Sequence, residues 1–183
     1  MKRDINSNGY IFLYTTILVV VVAALLTAAA LWLQPYQQMN REKEKRVMIL
    51  SAARANEDGN IELIDGDLPV YLVNGSIPVL PMQGNGLWGP IWGYIAIAAD
   101  GKTVVGITFD HKSETPGLGG EITTEKFQHQ FAGKQVMDHG DLIPVEFDAI
   151  TGATKTSNGV KEMIDNTLEK YSAYLQQFAK KGE

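Results

Sequence analysis

From Tyr10 to Leu33 the chain carries 24 residues without a charge, YIFLYTTILVVVVAALLTAAALWL. At ~1.5 Å per residue a helix of that length is roughly 36 Å long, enough to cross a ~30 Å hydrocarbon layer with some tilt. Thr15, Thr16 and Thr27 are tolerable there because their hydroxyls can bond back to the helix. Tyr10, Tyr14, Trp32 and Tyr36 stand near the two ends, where interfacial aromatics belong. A cleaved signal peptide is the competing reading, with small residues at Ala28-Ala29-Ala30. Its apolar core would be longer than the ~7–15 residues such a peptide uses, which favours a retained anchor.

The expected organisation is a tail at 1–9, a transmembrane helix at 10–33, a membrane-proximal helix at 34–56 and a compact domain at 57–183. Orientation is open from charge alone. Arg41, Lys43, Lys45 and Arg46 outnumber Lys2 and Arg3, which by the positive-inside rule favours a cytoplasmic carboxy-terminal domain. Glu42 and Glu44 interrupt that basic run, and large domains cross regardless of nearby charge.

Beyond Ile61 the texture turns to short apolar runs with frequent turn signals. Ile61–Ile64, Val70–Val73 and Pro78–Leu80 read as strands, separated by Asp-Gly and Asn-Gly pairs. Ile91–Ala98 and Thr103–Phe109 flank Ala99-Asp100-Gly101-Lys102 and predict a hairpin. A short helical stretch follows at 123–131. Ile143–Phe147 reads as an edge strand, since Pro144 cannot donate to a ladder. Val160, Met163, Ile164, Thr167, Leu168, Tyr171, Leu175 and Phe178 recur at helical spacing, with Ser157 or Asn158 as cap. The fold class expected is α+β: one transmembrane helix followed by one compact domain.

Composition excludes several functions. With 16 Lys plus Arg against 21 Asp plus Glu, the net charge is −5, and a nucleic-acid surface is not expected. The absence of cysteine removes disulfides, iron–sulfur clusters, Cys-ligated zinc and thiol nucleophiles. His111, His129 and His139 lack metal-ligand spacing, so no metal site is expected.

Two segments carry candidate chemistry. The first, FDAITGATKTSNGV at 147–160, packs Thr151, Thr154, Thr156 and Ser157 around Gly152-Ala153, just before a helix. Such residues suit a capped turn, and they equally suit a phosphate set at a helix N-terminus. A nucleotide P-loop is excluded, because no Lys stands in the required arrangement. The second comprises GLWGPIWGY at 86–94 and SETPGLGG at 113–120. Its glycines permit positive φ and close backbone approach to a cofactor. Trp88 and Trp92 fit a core role.

Asp148-Ala149-Ile150-Thr151-Gly152-Ala153-Thr154 resembles the D-x-x-[ST]-G-A-T flavinylation motif of the periplasmic FMN-binding domain family. The segments at 86–94 and 113–120, with Thr156-Ser157-Asn158-Gly159-Val160, look like the flavin-bearing C subunits of Na+-translocating NADH:quinone oxidoreductases. That resemblance implies covalent FMN on Thr154 through a phosphoester, installed by a flavin transferase that uses FAD. An unaided threonine hydroxyl is a weak nucleophile, consistent with outside help. The same resemblance implies cofactor contacts from Asp148, Thr151, Gly152, Ala153, Thr156, Trp88, Glu114, Thr115, Gly117, Leu118 and Gly119.

It further implies an electron-carrying subunit of the bacterial inner membrane, its domain periplasmic and its partners the other subunits of the complex. No catalysis by this chain alone is expected: a dinucleotide fingerprint and a quinone-sized bundle are both absent, so NADH oxidation and quinone reduction fall to other subunits. The equivalent subunit of an Rnf-type ferredoxin:NAD oxidoreductase and a non-redox single-pass scaffold are the alternatives.

Overall fold

A computed structural model describes residues 8–64, 66, 68–138 and 140–182; His139 and most of the expected tail lie outside them. The chain divides into two compact units, 1–44 and 45–183.

Among its described residues the first unit is a single helix. Helix α1 runs Asn8–Ala52, its last eight residues belonging to the second unit. It is long and apolar enough to span a membrane, which fits a single-pass anchor. The Thr16 and Thr27 hydroxyls donate 2.8 Å bonds to Phe12 and Ala23 carbonyls, and Thr15 bonds back to Ile11 and Phe12. The polar side chains thereby satisfy themselves within the helix. In place of a break between a span ending at Leu33 and a second helix reaching Asn56, the helix is continuous through Pro35 and ends at Ala52. The Gln, Met, Glu, Lys and Arg residues after Pro35 are strong helix formers and carry the pattern on.

The second unit is built on a five-stranded antiparallel meander, in the order β1 (Ile61–Ile64), β2 (Val70–Val73), β3 (Ile77–Asn85), β4 (Pro90–Ile97) and β5 (Val104–His111). Asn74 and Gly75, at φ 50° and 70°, close the β2–β3 turn as a primed hairpin requires. In the β4–β5 turn the Asp100 carboxylate accepts from the Lys102 and Thr103 amides and from the Thr103 hydroxyl at 2.8, 2.9 and 2.6 Å.

Period-2 alternation sends the strand side chains to two faces. Ile49, Leu50, Ala52 and Ala53 of the α1 end region bury against Val73, Val79 and Ala96 on one face. On the other, Leu80, Met82, Ile91, Ile95 and Phe109 meet Val160, Met163, Ile164 and Leu168 of helix α3 (Thr154–Gly182). Helix and sheet approach closely at two glycines: a Cβ on Gly84 would stand 2.8 Å from Met163 Cβ, and one on Gly159 would overlap the Asn85 carbonyl oxygen.

The segment joining β5 to α3 departs from expectation. Residues 119–131 form 3-10 turns around a one-turn helix α2 (Glu125–Gln128). Ile143–Phe147 is not a strand. The pairing here is the two-residue hairpin β6 (Met137–Asp138) and β7 (Asp141–Leu142), continued by one bond from the Ile143 amide to the Val136 carbonyl. Pro144, lacking an N–H, cannot extend that ladder.

Candidate functional site

The site is assembled from three segments converging on the first turn of α3. That helix begins at Thr154, earlier than the expected caps at Ser157 or Asn158. Gly152, at φ 79°, turns the chain into it. Ser157 lies inside the first turn, where its hydroxyl donates to the Ala153 carbonyl at 3.1 Å and accepts the Ile150 amide at 3.0 Å. The turn is thus tied to the helix it precedes. Thr154 is the first helical residue and is exposed, beside first-turn amides that have no intrahelical acceptor. The helix dipole adds a positive potential at this end.

Upstream, Asp148 is held by Gln130, whose side chain accepts its N–H at 2.8 Å and reaches its carbonyl at 3.5 Å. Phe147 packs on Phe131 and Phe127 at centroid distances of 5.0 and 5.6 Å. Such aromatic pairs contribute ~0.5–1.5 kcal/mol each beyond burial, so this cluster anchors the motif's entry. Next to it opens a cleft of about 430 Å³ lined by Glu121, Thr124, Lys126, Phe127, Gln130 and Asp148–Thr151. That volume falls within the range of ordinary small-molecule sites.

The Gly-rich loop is the third segment. The Leu118 and Gly120 amides both donate to the Thr115 carbonyl, at 3.1 and 3.0 Å, and Gly117 takes φ 75°. Leu118 reaches Gly152 across the site, its Cδ2 standing 3.1 Å from where a Cβ would be. Glu114 is buried, accepting the Trp88 amide at 2.7 Å and the Thr156 hydroxyl at 2.6 Å. Gly119 packs against the same carboxylate.

Residues expected at the site are therefore brought together, with differing exposures. Thr151, Gly152, Thr154, Thr115 and Gly117 are exposed, whereas Ala153, Thr156, Glu114 and Gly119 are buried. Trp88 is not a core residue: it is 66% exposed, and Leu87 and Leu118 are exposed as well. His111 is structural, its Nδ1 accepting the Glu114 amide at 3.2 Å. Gln130 and the Glu121–Phe127 wall were not foreseen. Nothing in their local sequence marks them, because only the folded connection brings them to Asp148.

Geometry of this kind defines a class, a domain that presents an exposed helix-terminal threonine near a cleft lined by residues of 121–130 and 148–151. Residues 86–169 match the FMN-binding domain family, over a segment that contains every part of the site except the outermost α3 turns. The chain is 42% identical over 113 residues to the C subunit of the Na+-translocating NADH-quinone reductase of Vibrio vulnificus, covering 52% of this chain and 44% of that one. It is 32% identical over 159 residues to the equivalent protein of Chlamydia muridarum, covering 72% and 50%. The chain thus spans about half the length of the curated relatives it matches.

A crystal structure of the C subunit from Parabacteroides distasonis superposes with a TM-score of 0.65 at 29% identity, over 78% of this chain and 96% of that one. The Shewanella oneidensis NqrC structure, at 22% identity and a TM-score of 0.64, shares the fold. These matches bear out the resemblance carried by the motifs.

Proposed function

We propose that this chain is an FMN-carrying subunit of a membrane NADH:quinone reductase that transports Na+, anchored by one helix with its domain in the periplasm. One observation carries the reading: the stretch that matches the FMN-binding domain family includes an exposed threonine at the start of a long helix, beside a cleft of about 430 Å³.

The residues present fit such a group. Thr154 offers an accessible hydroxyl, and the first-turn amides and helix dipole favour a phosphate. Asp148 and Thr151 line the cleft that a ring system would enter. Attachment is substitution at phosphorus. The Thr154 oxygen bonds to the flavin-side phosphorus of FAD, the bond to the AMP half breaks, AMP leaves, and the hydroxyl proton passes to a base on the flavin transferase. No electrons change hands in that step. FMN held there would supply one- and two-electron redox chemistry between neighbouring centres of the complex, while this chain would supply position and electrostatics.

In-gel fluorescence of the denatured chain, after co-expression with a flavin transferase, tests the reading. A fluorescent band supports a covalent flavin; a dark band from a folded, fully expressed chain overturns it.

A further inference from the structure

Glu114 is the single carboxylate buried among the described residues, at 4% exposure. Oε1 accepts the Trp88 amide at 2.7 Å and Oε2 accepts the Thr156 hydroxyl at 2.6 Å. Two glycines make room for it. A Cβ on Gly86 would stand 2.5 Å from Oε1, and one on Gly119 would overlap Oε2 and come within 2.7 Å of Thr156 Oγ1. Burying a carboxylate is costly, and an apolar replacement commonly serves stability as well or better. What a carboxylate adds is direction. This one joins the 86–89 turn, the Gly-rich loop and the first turn of α3, from partners 26 and 42 residues away in sequence.

Thr156 follows Thr154 by two helical positions, which places the two side chains about 200° apart around the axis. Holding Thr156 inward, at 1% exposure, therefore turns Thr154 outward. We propose that Glu114 is a positioning residue for flavin attachment: by fixing Thr156 and the loop that carries Leu118, it presents the Thr154 hydroxyl to the incoming FAD phosphorus. The inference rests on Thr154 being the attachment point. The chemistry is the substitution described above, FAD plus threonine giving flavin-phosphoryl-threonine plus AMP.

The test is the initial rate of flavinylation of the full-length chain in detergent by purified flavin transferase and FAD, read as fluorescence of the denatured band, with thermal midpoints measured in parallel. Glu114→Gln keeps one acceptor but turns an amide NH2 toward the other donor; Thr156→Val keeps the shape and loses the hydroxyl. Both are expected to slow that rate at least about tenfold, as leaving a buried hydrogen-bonding partner unsatisfied does. Thr156→Ser, which restores the hydroxyl, should lie within about twofold of the parent, and the Glu114→Gln/Thr156→Val pair should be no slower than the slower single variant.

Thr167→Val is the stability control: Thr167 is a buried threonine on the same helix, bonded to the Met163 carbonyl at 2.7 Å. Parental rates in Glu114→Gln and Thr156→Val would overturn the proposal. So would failure of Thr156→Ser to restore the rate, or equal slowing in Thr167→Val at an equal fall in midpoint. A parent that takes no flavin, or a Thr154→Ala chain that does, would instead overturn the attachment reading.

Discussion

Leu118 lies over Gly152, its Cδ2 only 3.1 Å from the point a β-carbon would occupy, so the Gly-rich loop and the motif turn are in direct contact. Gly152 also sits at φ 79°, a backbone conformation that side chains other than glycine adopt at a cost. Gly152→Ala should therefore destabilise the domain by about 1–3 kcal/mol, combining the backbone term with displacement of Leu118. Urea denaturation of the parent and variant gives the difference, and flavin loading should fall with it.

Thr154→Ala should abolish covalent fluorescence while changing stability by less than about 1 kcal/mol, because the side chain is exposed. Thr151→Ala should keep the label. A label that survives in Thr154→Ala and disappears in Thr151→Ala would move the attachment point to Thr151.

Acid stability should depend on Asp100. Burial pushes its carboxyl up, but bonds from the Thr103 hydroxyl and the Lys102 and Thr103 amides, with the Lys102 charge, outweigh this and hold it below its ordinary value. A pKa lower in the folded than in the unfolded chain means a contribution fully present above the unfolded value, near pH 4, and lost as the pH falls through the folded one. Asp100→Asn should lower stability at neutral pH and flatten the decline below about pH 4. Thermal melts from acid to neutral pH measure both; parallel curves for the two proteins would contradict the assignment.

The chain has no cysteine, so Glu169→Cys creates a single reporter on an exposed position of α3. With the domain in the periplasm, a membrane-impermeant maleimide should label it in cells whose outer membrane has been permeabilised. Labelling only after lysis would place the domain in the cytoplasm, as the Lys and Arg count alone suggests.

Local chemistry made much of this legible. The charge-free run at 10–33 marks the membrane-competent helix, because apolarity over that length has few other uses. Asn74-Gly75 and Asp100-Gly101 mark their hairpins, because both turns need φ > 0 at the glycine. The motif at 148–154 and the loop at 113–120 stand out through the same backbone requirement, with positive φ at Gly152 and Gly117. The boundary expected between 33 and 34 is absent: helix formers beyond Pro35 carry α1 through it. Residues 143–147 read as an edge strand, but a strand needs a neighbour, and among the described residues the pairing there stops at the two-residue β6 and β7.

Sequence by itself marked the candidate residues, the threonines and glycines of the two segments, and one helix apolar enough to span a membrane. Tertiary structure decided what each does with its surroundings. It exposed Trp88, placed Gln130 on Asp148, and buried Glu114 between Trp88 and Thr156, partners separated by the whole of β4 and β5 and by the long connection to α3. Turn preferences are set by neighbouring residues along the chain and can be read there. Burial and long-range hydrogen bonds arise only when the sheet and α3 close on each other, which no local pattern encodes.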